Sequence, residues 1–139
     1  MLDYLKENLF KHPEKILQTV LGLVAAHSVV MGVLLVTQPA ALMEFSGFSG
    51  NYERFFPAQG GVFHLLLSVV YLMGATNIEK YRHFIVFSIF GKAVATFFLM
   101  TYCFTVEFKW IVLLSGIGDG VMGLMILLAF QHCLRSKKP

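Results

Sequence analysis

Charged side chains are scarce in this sequence, and their scarcity decides the class of protein. Asp, Glu, Lys and Arg make up 14% of the 139 residues, whereas in soluble domains they approach about a quarter. Hydrophobic residues reach 57%, and the mean hydropathy is +0.71. A soluble surface needs far more polar side chains than this chain has, so the composition predicts an integral membrane protein.

Cysteine is also rare, and no motif for catalysis or metal binding is recognisable. Cys103 and Cys133 belong to opposite ends of their apolar runs, so we expect no disulfide between them. Histidines and acidic residues lack the HxxxH and ExxH spacings of metal sites, so we predict no metal site. No activated Ser or Cys motif is present, and catalytic residues stay unknown. Haem is a poor candidate because only two mid-span histidines favour it.

Four apolar runs are each long enough to cross the hydrocarbon core of a bilayer. They are residues 16–37, 57–76, 84–105 and 110–130. About 20 helical residues span roughly 30 Å. The connections near residues 77–83 and 106–109 are short, so consecutive helices have to be antiparallel. The sequence therefore predicts an all-α, up-down-up-down four-helix transmembrane bundle, with residues 1–139 forming one domain.

The positions of lysine and arginine predict the orientation in the membrane. Eight of them precede the first run, separate the second from the third, or follow the fourth, whereas only Arg54 and Lys109 lie on the other side. Basic residues are enriched in cytoplasmic segments, so we expect both termini in the cytoplasm, in a bacterial inner membrane. The basic residues form no clustered face, which excludes nucleic acid as a partner and leaves the lipid bilayer.

Two segments outside the runs have patterns of their own. In residues 2–12 the side chains of Leu2, Leu5 and Leu9 share one face, which predicts a helix along the membrane surface, with a frayed tail as the alternative. Residues 38–56 form a loop rich in aromatic residues, and Pro39 suits the start of a short helix through Phe45. We expect the aromatic rings to anchor this loop at the membrane interface, and a lid over the bundle is the alternative.

Each apolar run has one ionisable residue near its middle, which is a hypothesis of function in a membrane span. The four residues are His27, His64, Lys92 and Asp119. Lys92 and Asp119 each cost about 3 kcal/mol at the centre of a span, so we expect them to form a hydrogen-bonded ion pair between adjacent helices. In the alternative interpretation the pair only sets the register of the bundle. His27 has apolar helical neighbours, so it is a weaker candidate for the site.

Helical spacing predicts which side chains face the interior of the bundle. Polar and small residues recur on one stripe in each of the last three runs, and the polar members form the predicted ligand-binding set. That set is His64, Ser68, Tyr71, Lys92, Thr96 and Asp119. Glycines on the same faces allow close packing of helices. The predicted packing glycines are Gly60, Gly116, Gly120 and Gly123.

Four short segments share a pattern with a known group of membrane proteins. They are Asn-Tyr-Glu-Arg-Phe-Phe at residues 51–56, Gly60-Gly61, Gly91-Lys92 and Gly118-Asp119-Gly120. In these segments the sequence resembles small DoxX-like four-helix bacterial membrane proteins, although Lys92 stands where such proteins often have arginine. Some members are similar to quinone-linked oxidoreductase subunits, so the resemblance implies a quinone as a candidate ligand.

Three hypotheses of function follow from this sequence. In the first, the polar residues at mid-depth form a pocket that binds a quinone- or lipid-like molecule, in a redox accessory subunit. In the second, the chain is a structural or assembly subunit of a larger membrane complex or a homo-oligomer, and the polar residues serve packing. In the third, His, Lys and Asp perform acid–base catalysis within the membrane.

Overall fold

A computed structural model describes residues 12–48 and 53–137, which form five helices and no strand. The helices are α1 (Pro13–Thr37), α2 (Ala40–Phe45), α3 (Phe55–Thr76), α4 (Arg82–Thr105) and α5 (Trp110–Ser136). The four long helices are each long and apolar enough to cross a membrane. The all-α four-helix bundle predicted from the sequence is confirmed.

The ring of four long helices is antiparallel throughout. The α1 helix packs most closely against α3, α4 packs most closely against α5, and the pairs α1–α5 and α3–α4 close the ring. One end, here called the terminal end, holds the start of α1, the turn of residues 77–81 and the end of α5. The opposite loop end holds residues 38–48, 53 and 54, and the turn of residues 106–109. Each helix therefore has two antiparallel neighbours, as the short connections require.

The helices extend beyond the apolar runs that predicted them. The largest difference is in α5, which continues to Ser136 rather than ending at residue 130. Backbone hydrogen bonds within a helix do not depend on apolar side chains, so the helix continues through Gln131, His132 and Arg135. The apolar run predicts the part of a helix that suits hydrocarbon, and it does not predict where the helix ends.

Local interactions determine where α1 ends and α3 begins. Gln38 has a left-handed backbone with φ 46°, and its backbone N–H donates to the carbonyl of Leu34 at 2.8 Å. At the start of α3 the carboxylate of Glu53 accepts hydrogen bonds from the backbone N–H groups of Phe56 and Phe55, which lower the pKa of Glu53. Such a carboxylate satisfies N–H groups that have no partner within the helix.

The described part of the aromatic loop lies against the loop end of the bundle. The predicted short helix is confirmed as α2, with Pro39 as its N-cap. Phe45 packs edge-on against Trp110 with 5.2 Å between ring centroids, and the Lys109 ammonium lies 4.1 Å from the centroid of the Phe48 ring. The loop thus contacts the beginning of α5. Of the predicted surface helix of residues 2–12, all but residue 12 lies outside the described residues.

An exposed charge cluster joins three segments at the terminal end. The Lys137 ammonium pairs with the carboxylates of Glu14 at 2.7 Å and Glu79 at 2.6 Å. The hydrogen bonds to these carboxylates raise the pKa of Lys137, and the same contact lowers the pKa of Glu79. Exposed ion pairs contribute little to stability. The apolar core beneath this cluster, which includes Leu17, Ile126 and Cys133, stabilises the terminal half.

The closest approach of α1 and α3 depends on Gly61, and the prediction of Gly60 as the packing glycine was wrong. A Cβ added at Gly61 would lie 2.7 Å from the carbonyl oxygen of Gly32 and 2.8 Å from Cγ2 of Val36. A Cβ added at Gly60 would meet nothing within 4 Å. Successive helical residues point about 100° apart, so only one glycine of an adjacent pair can face the neighbouring helix.

We expect Gly61→Ala to destabilise the bundle and Gly60→Ala to have little effect. The added methyl group at Gly61 has no space against α1, and overpacking of this kind costs about 1–3 kcal/mol. The measurement is the free energy of unfolding of each variant in detergent micelles. Equal stability of the two variants would contradict the packing of α1 against α3 described here.

Candidate functional site

A buried ion pair between α4 and α5 is the centre of the candidate site. The Lys92 ammonium donates a hydrogen bond to Oδ1 of Asp119, as the sequence predicts. Lys92 is 3% exposed and Asp119 is 8% exposed. Both residues lie near the middle of their helices, far from either end of the bundle. The pair therefore places two opposite charges in the middle of two helices that are apolar enough to span a membrane.

Close packing of α4 against α5 brings the two charges together. A Cβ added at Gly123 would lie 2.9 Å from Cβ of Lys92, and one added at Gly120 would lie 3.3 Å from Cγ2 of Thr96. A Cβ added at Gly116 would lie 3.2 Å from Cβ of Leu99. The packing predicted for these three glycines is confirmed. The α5 backbone thus packs against α4 along about two turns, and the Lys92 side chain reaches Asp119 one turn away from Gly123.

Tyr71 lies beside Lys92 in the bundle interior, and the hydroxyls of Ser68 and Thr96 bond within their own helices. The Lys92 ammonium lies 5.8 Å from the centroid of the buried Tyr71 ring, within the range of a cation–π interaction. The hydroxyl of Ser68 donates to the carbonyl of Leu65 at 2.6 Å, and Thr96 donates to the carbonyl of Lys92 at 2.8 Å. Each of these hydroxyls therefore uses its hydrogen within its own helix and donates to neither charged group of the ion pair.

The two mid-span histidines lie within electrostatic range of the ion pair but do not hydrogen-bond to it. Lys92 and Asp119 both interact coulombically with His64 and with His27. His64 is partly buried, and in the part of the chain that the structure describes its Nδ1 is buried without a hydrogen-bond partner. His27 is exposed on the surface of α1. Of the four ionisable groups, the structure thus joins Lys92 and Asp119 in direct contact, whereas His64 and His27 interact with the pair only electrostatically.

Ser28 is a buried polar residue that reasoning from the sequence missed. It is 0% exposed, and its Oγ has no partner within residues 12–48 and 53–137. Ser28 lies on the buried stripe of α1 that runs through Leu21, Ala25 and Gly32. That spacing of three or four residues was readable from the sequence, but the other residues of the stripe are apolar or small, so nothing in it indicated a polar site.

An open groove runs along the outer side of the bundle between α4 and α5. Its volume is about 510 Å³, and Thr96 and Asp119 are the polar residues that line it. Its other walls are apolar or small, including Ala93, Phe97 and Leu124. Asp119 therefore faces two environments, because Lys92 pairs with it from the bundle interior while part of its side chain, 11% exposed, borders the groove.

The arrangement divides the predicted ligand-binding set. Thr96 and Asp119 border the groove, Ser68, Tyr71 and Lys92 are buried in the bundle, and His64 is partly buried on α3. Across the described residues, no group of three His, Cys, Asp or Glu side chains is arranged to hold a metal ion. The site can therefore provide a ligand with hydrogen bonds and with the negative charge of Asp119, at the base of an apolar groove.

No known family model, curated protein or solved structure matches this chain. The resemblance to DoxX-like proteins and the quinone that it implies therefore stay predictions. What the chain does has to be inferred from its own helices and from the groove beside Asp119.

We expect Lys92→Met to destabilise the protein and the added change Asp119→Asn to restore much of the loss. Removing one partner leaves a buried charge uncompensated, which costs about 3–5 kcal/mol, whereas removing both charges leaves none. The free energies of unfolding of the wild type, both single variants and the double variant form a double-mutant cycle. Additive effects of the two substitutions would contradict the ion pair.

Proposed function

We propose that this chain is an integral membrane protein that binds a quinone- or lipid-like molecule in the groove between α4 and α5. One observation carries the proposal: Asp119 belongs to a buried ion pair and also borders an apolar groove of about 510 Å³. Binding sites for small molecules are typically apolar clefts of this size with a few placed polar groups. The groove has this composition.

The groove suits an amphiphile that enters sideways from the bilayer. Phe97, Leu124 and the other apolar walls would contact a hydrocarbon chain, whereas Thr96 and Asp119 would hydrogen-bond to a polar head. A charged carboxylate beside lipid tails is costly, and a polar head group would replace the water that it lacks. A bound amphiphile would therefore provide a hydrogen-bond partner for Asp119, the charged residue that borders the groove.

The remaining residues of the predicted set act behind the groove in this proposal. Lys92 orients the Asp119 carboxylate, and the Tyr71 ring and the contact of the Lys92 side-chain stem with Gly123 restrict where the ammonium can lie. His64 lies close enough to respond electrostatically to a ligand at Asp119. The proposal includes the role of a redox accessory subunit. It also includes both termini in the cytoplasm and the identity of a DoxX-like protein of a bacterial inner membrane.

One observation favours the alternative of an assembly subunit. His27 exposes a polar imidazole in the middle of α1, a helix with the composition of a membrane span. Polar side chains in spans usually face protein, so a contact of α1 with another membrane protein or a second copy would shield His27. This role uses α1 and is compatible with a ligand between α4 and α5.

We expect Ala93→Phe to remove a ligand that copurifies with the wild-type protein. Ala93 lines the groove, so a phenyl ring there would fill the space while both residues of the ion pair stay in the sequence. Ala26→Phe is the matched control because Ala26 is also exposed on a long helix and lies outside the groove. Mass spectrometry of lipids extracted from the purified variants measures the difference, and we expect a loss of about tenfold or more.

The proposal fails if the wild type carries only bulk phospholipid in the same amounts as both variants. Loss of the ligand in Ala26→Phe as well would show that the bilayer-facing surface as a whole, rather than the groove, holds the molecule.

A further inference from the structure

The hydrogen-bonding groups of the groove indicate which head groups it can recognise. Resting on the proposed function, we infer that the groove selects amphiphiles whose head group donates hydrogen bonds and discriminates against those that only accept them. For a quinone couple this means preference for the quinol, the reduced form. The inference depends on which hydrogen-bonding groups of Thr96, Asp119 and Lys92 are already used in bonds among these residues.

Thr96 can offer only an acceptor to a ligand. A hydroxyl has one hydrogen and two lone pairs. The hydrogen of the Thr96 hydroxyl is donated to the backbone carbonyl of Lys92, with 2.8 Å between the oxygens. The lone pairs of Oγ1 are therefore what a head group in the groove would meet.

Asp119 also offers only acceptors. As the partner of the Lys92 ammonium its carboxylate is ionised, and an ionised carboxylate has no hydrogen to donate. Oδ1 accepts the hydrogen bond from Lys92, and no residue in the described ranges donates to Oδ2. The second oxygen is thus free for a donor, and a hydrogen bond to a charged acceptor is among the stronger kinds.

Lys92, the cation that pairs with Asp119, does not serve the groove. Lys92 is almost fully buried and is not among the residues that line the groove. Its ammonium is directed to Asp119 and lies near the Tyr71 ring on the interior side. A quinone carbonyl in the groove would therefore meet lone pairs and negative charge, whereas the hydroxyl of a quinol or of a lipid alcohol would donate to them.

The test compares four probes that differ in their head groups. They are a short-chain alkyl quinol, the corresponding quinone, the dimethyl ether of the quinol, and a saturated alcohol of similar tail length. Each is incubated under anaerobic conditions with the protein in lipid nanodiscs, and bound probe is quantified by mass spectrometry after capture. We expect the quinol or the alcohol to bind about tenfold or more tightly than the donor-free quinone and ether.

Thr96→Val provides the matched variant. Valine keeps the methyl group that packs against Gly120 and removes the hydroxyl acceptor, so the fold should persist. We expect weaker binding of the donor probe and no change for the quinone. Thr96→Ser keeps the hydroxyl and should keep the preference.

The outcomes separate this inference from the proposed function. Equal or tighter binding of the quinone or the ether, abolished by Ala93→Phe, would overturn the donor preference and leave the groove as a ligand site. Binding of no probe above that of empty nanodiscs would reject both. A quinol that binds better than the alcohol identifies a quinol as the ligand class, and the reverse order identifies a lipid alcohol.

Discussion

The cost of an isolated charge in a membrane is the constraint on which this structure depends. Lys92 and Asp119 lie near the middle of adjacent antiparallel helices, and each is tolerable there because the other neutralises it. The pair also requires α4 and α5 to be close and in one register. Gly116, Gly120 and Gly123 provide that proximity, because a side chain at any of them would meet α4. Packing and electrostatics therefore specify the same helix pair.

The same helix pair produces the candidate site. Close backbones leave a groove on the outer side of the seam between α4 and α5, and the carboxylate held from behind by Lys92 is presented to that groove. Asp119, which neutralises the buried Lys92, is thus also the charged group of an otherwise apolar groove. A buried polar group in a span costs free energy, and a ligand that hydrogen-bonds to Asp119 would offset part of this cost. This link between stability and binding is the physical basis of the proposed function.

Much of this could be predicted from residue type and helical spacing. The ion pair, the buried positions of Ser68 and Tyr71, and the packing at Gly116, Gly120 and Gly123 all follow from period 3.6 and from the cost of charge in lipid. The prediction of Gly60 as a packing glycine was wrong because the adjacent Gly61, and not Gly60, faces α1. Ser28 was missed because its neighbours on the buried stripe are apolar. The groove could not be predicted, since its walls come from two helices whose separation no single helix reveals.

Composition and periodicity in the sequence are sufficient to predict four spans and their antiparallel order. They also predict that one amine and one carboxylate in these spans have to meet. Those properties are local, because hydropathy and helical phase act along the chain. The spatial arrangement of the helices settles which glycine faces a neighbour, which hydroxyls are already satisfied by their own helix, and that Asp119 faces both the interior and a groove. These properties depend on distances between helices, and such distances result from the packing of all the side chains together.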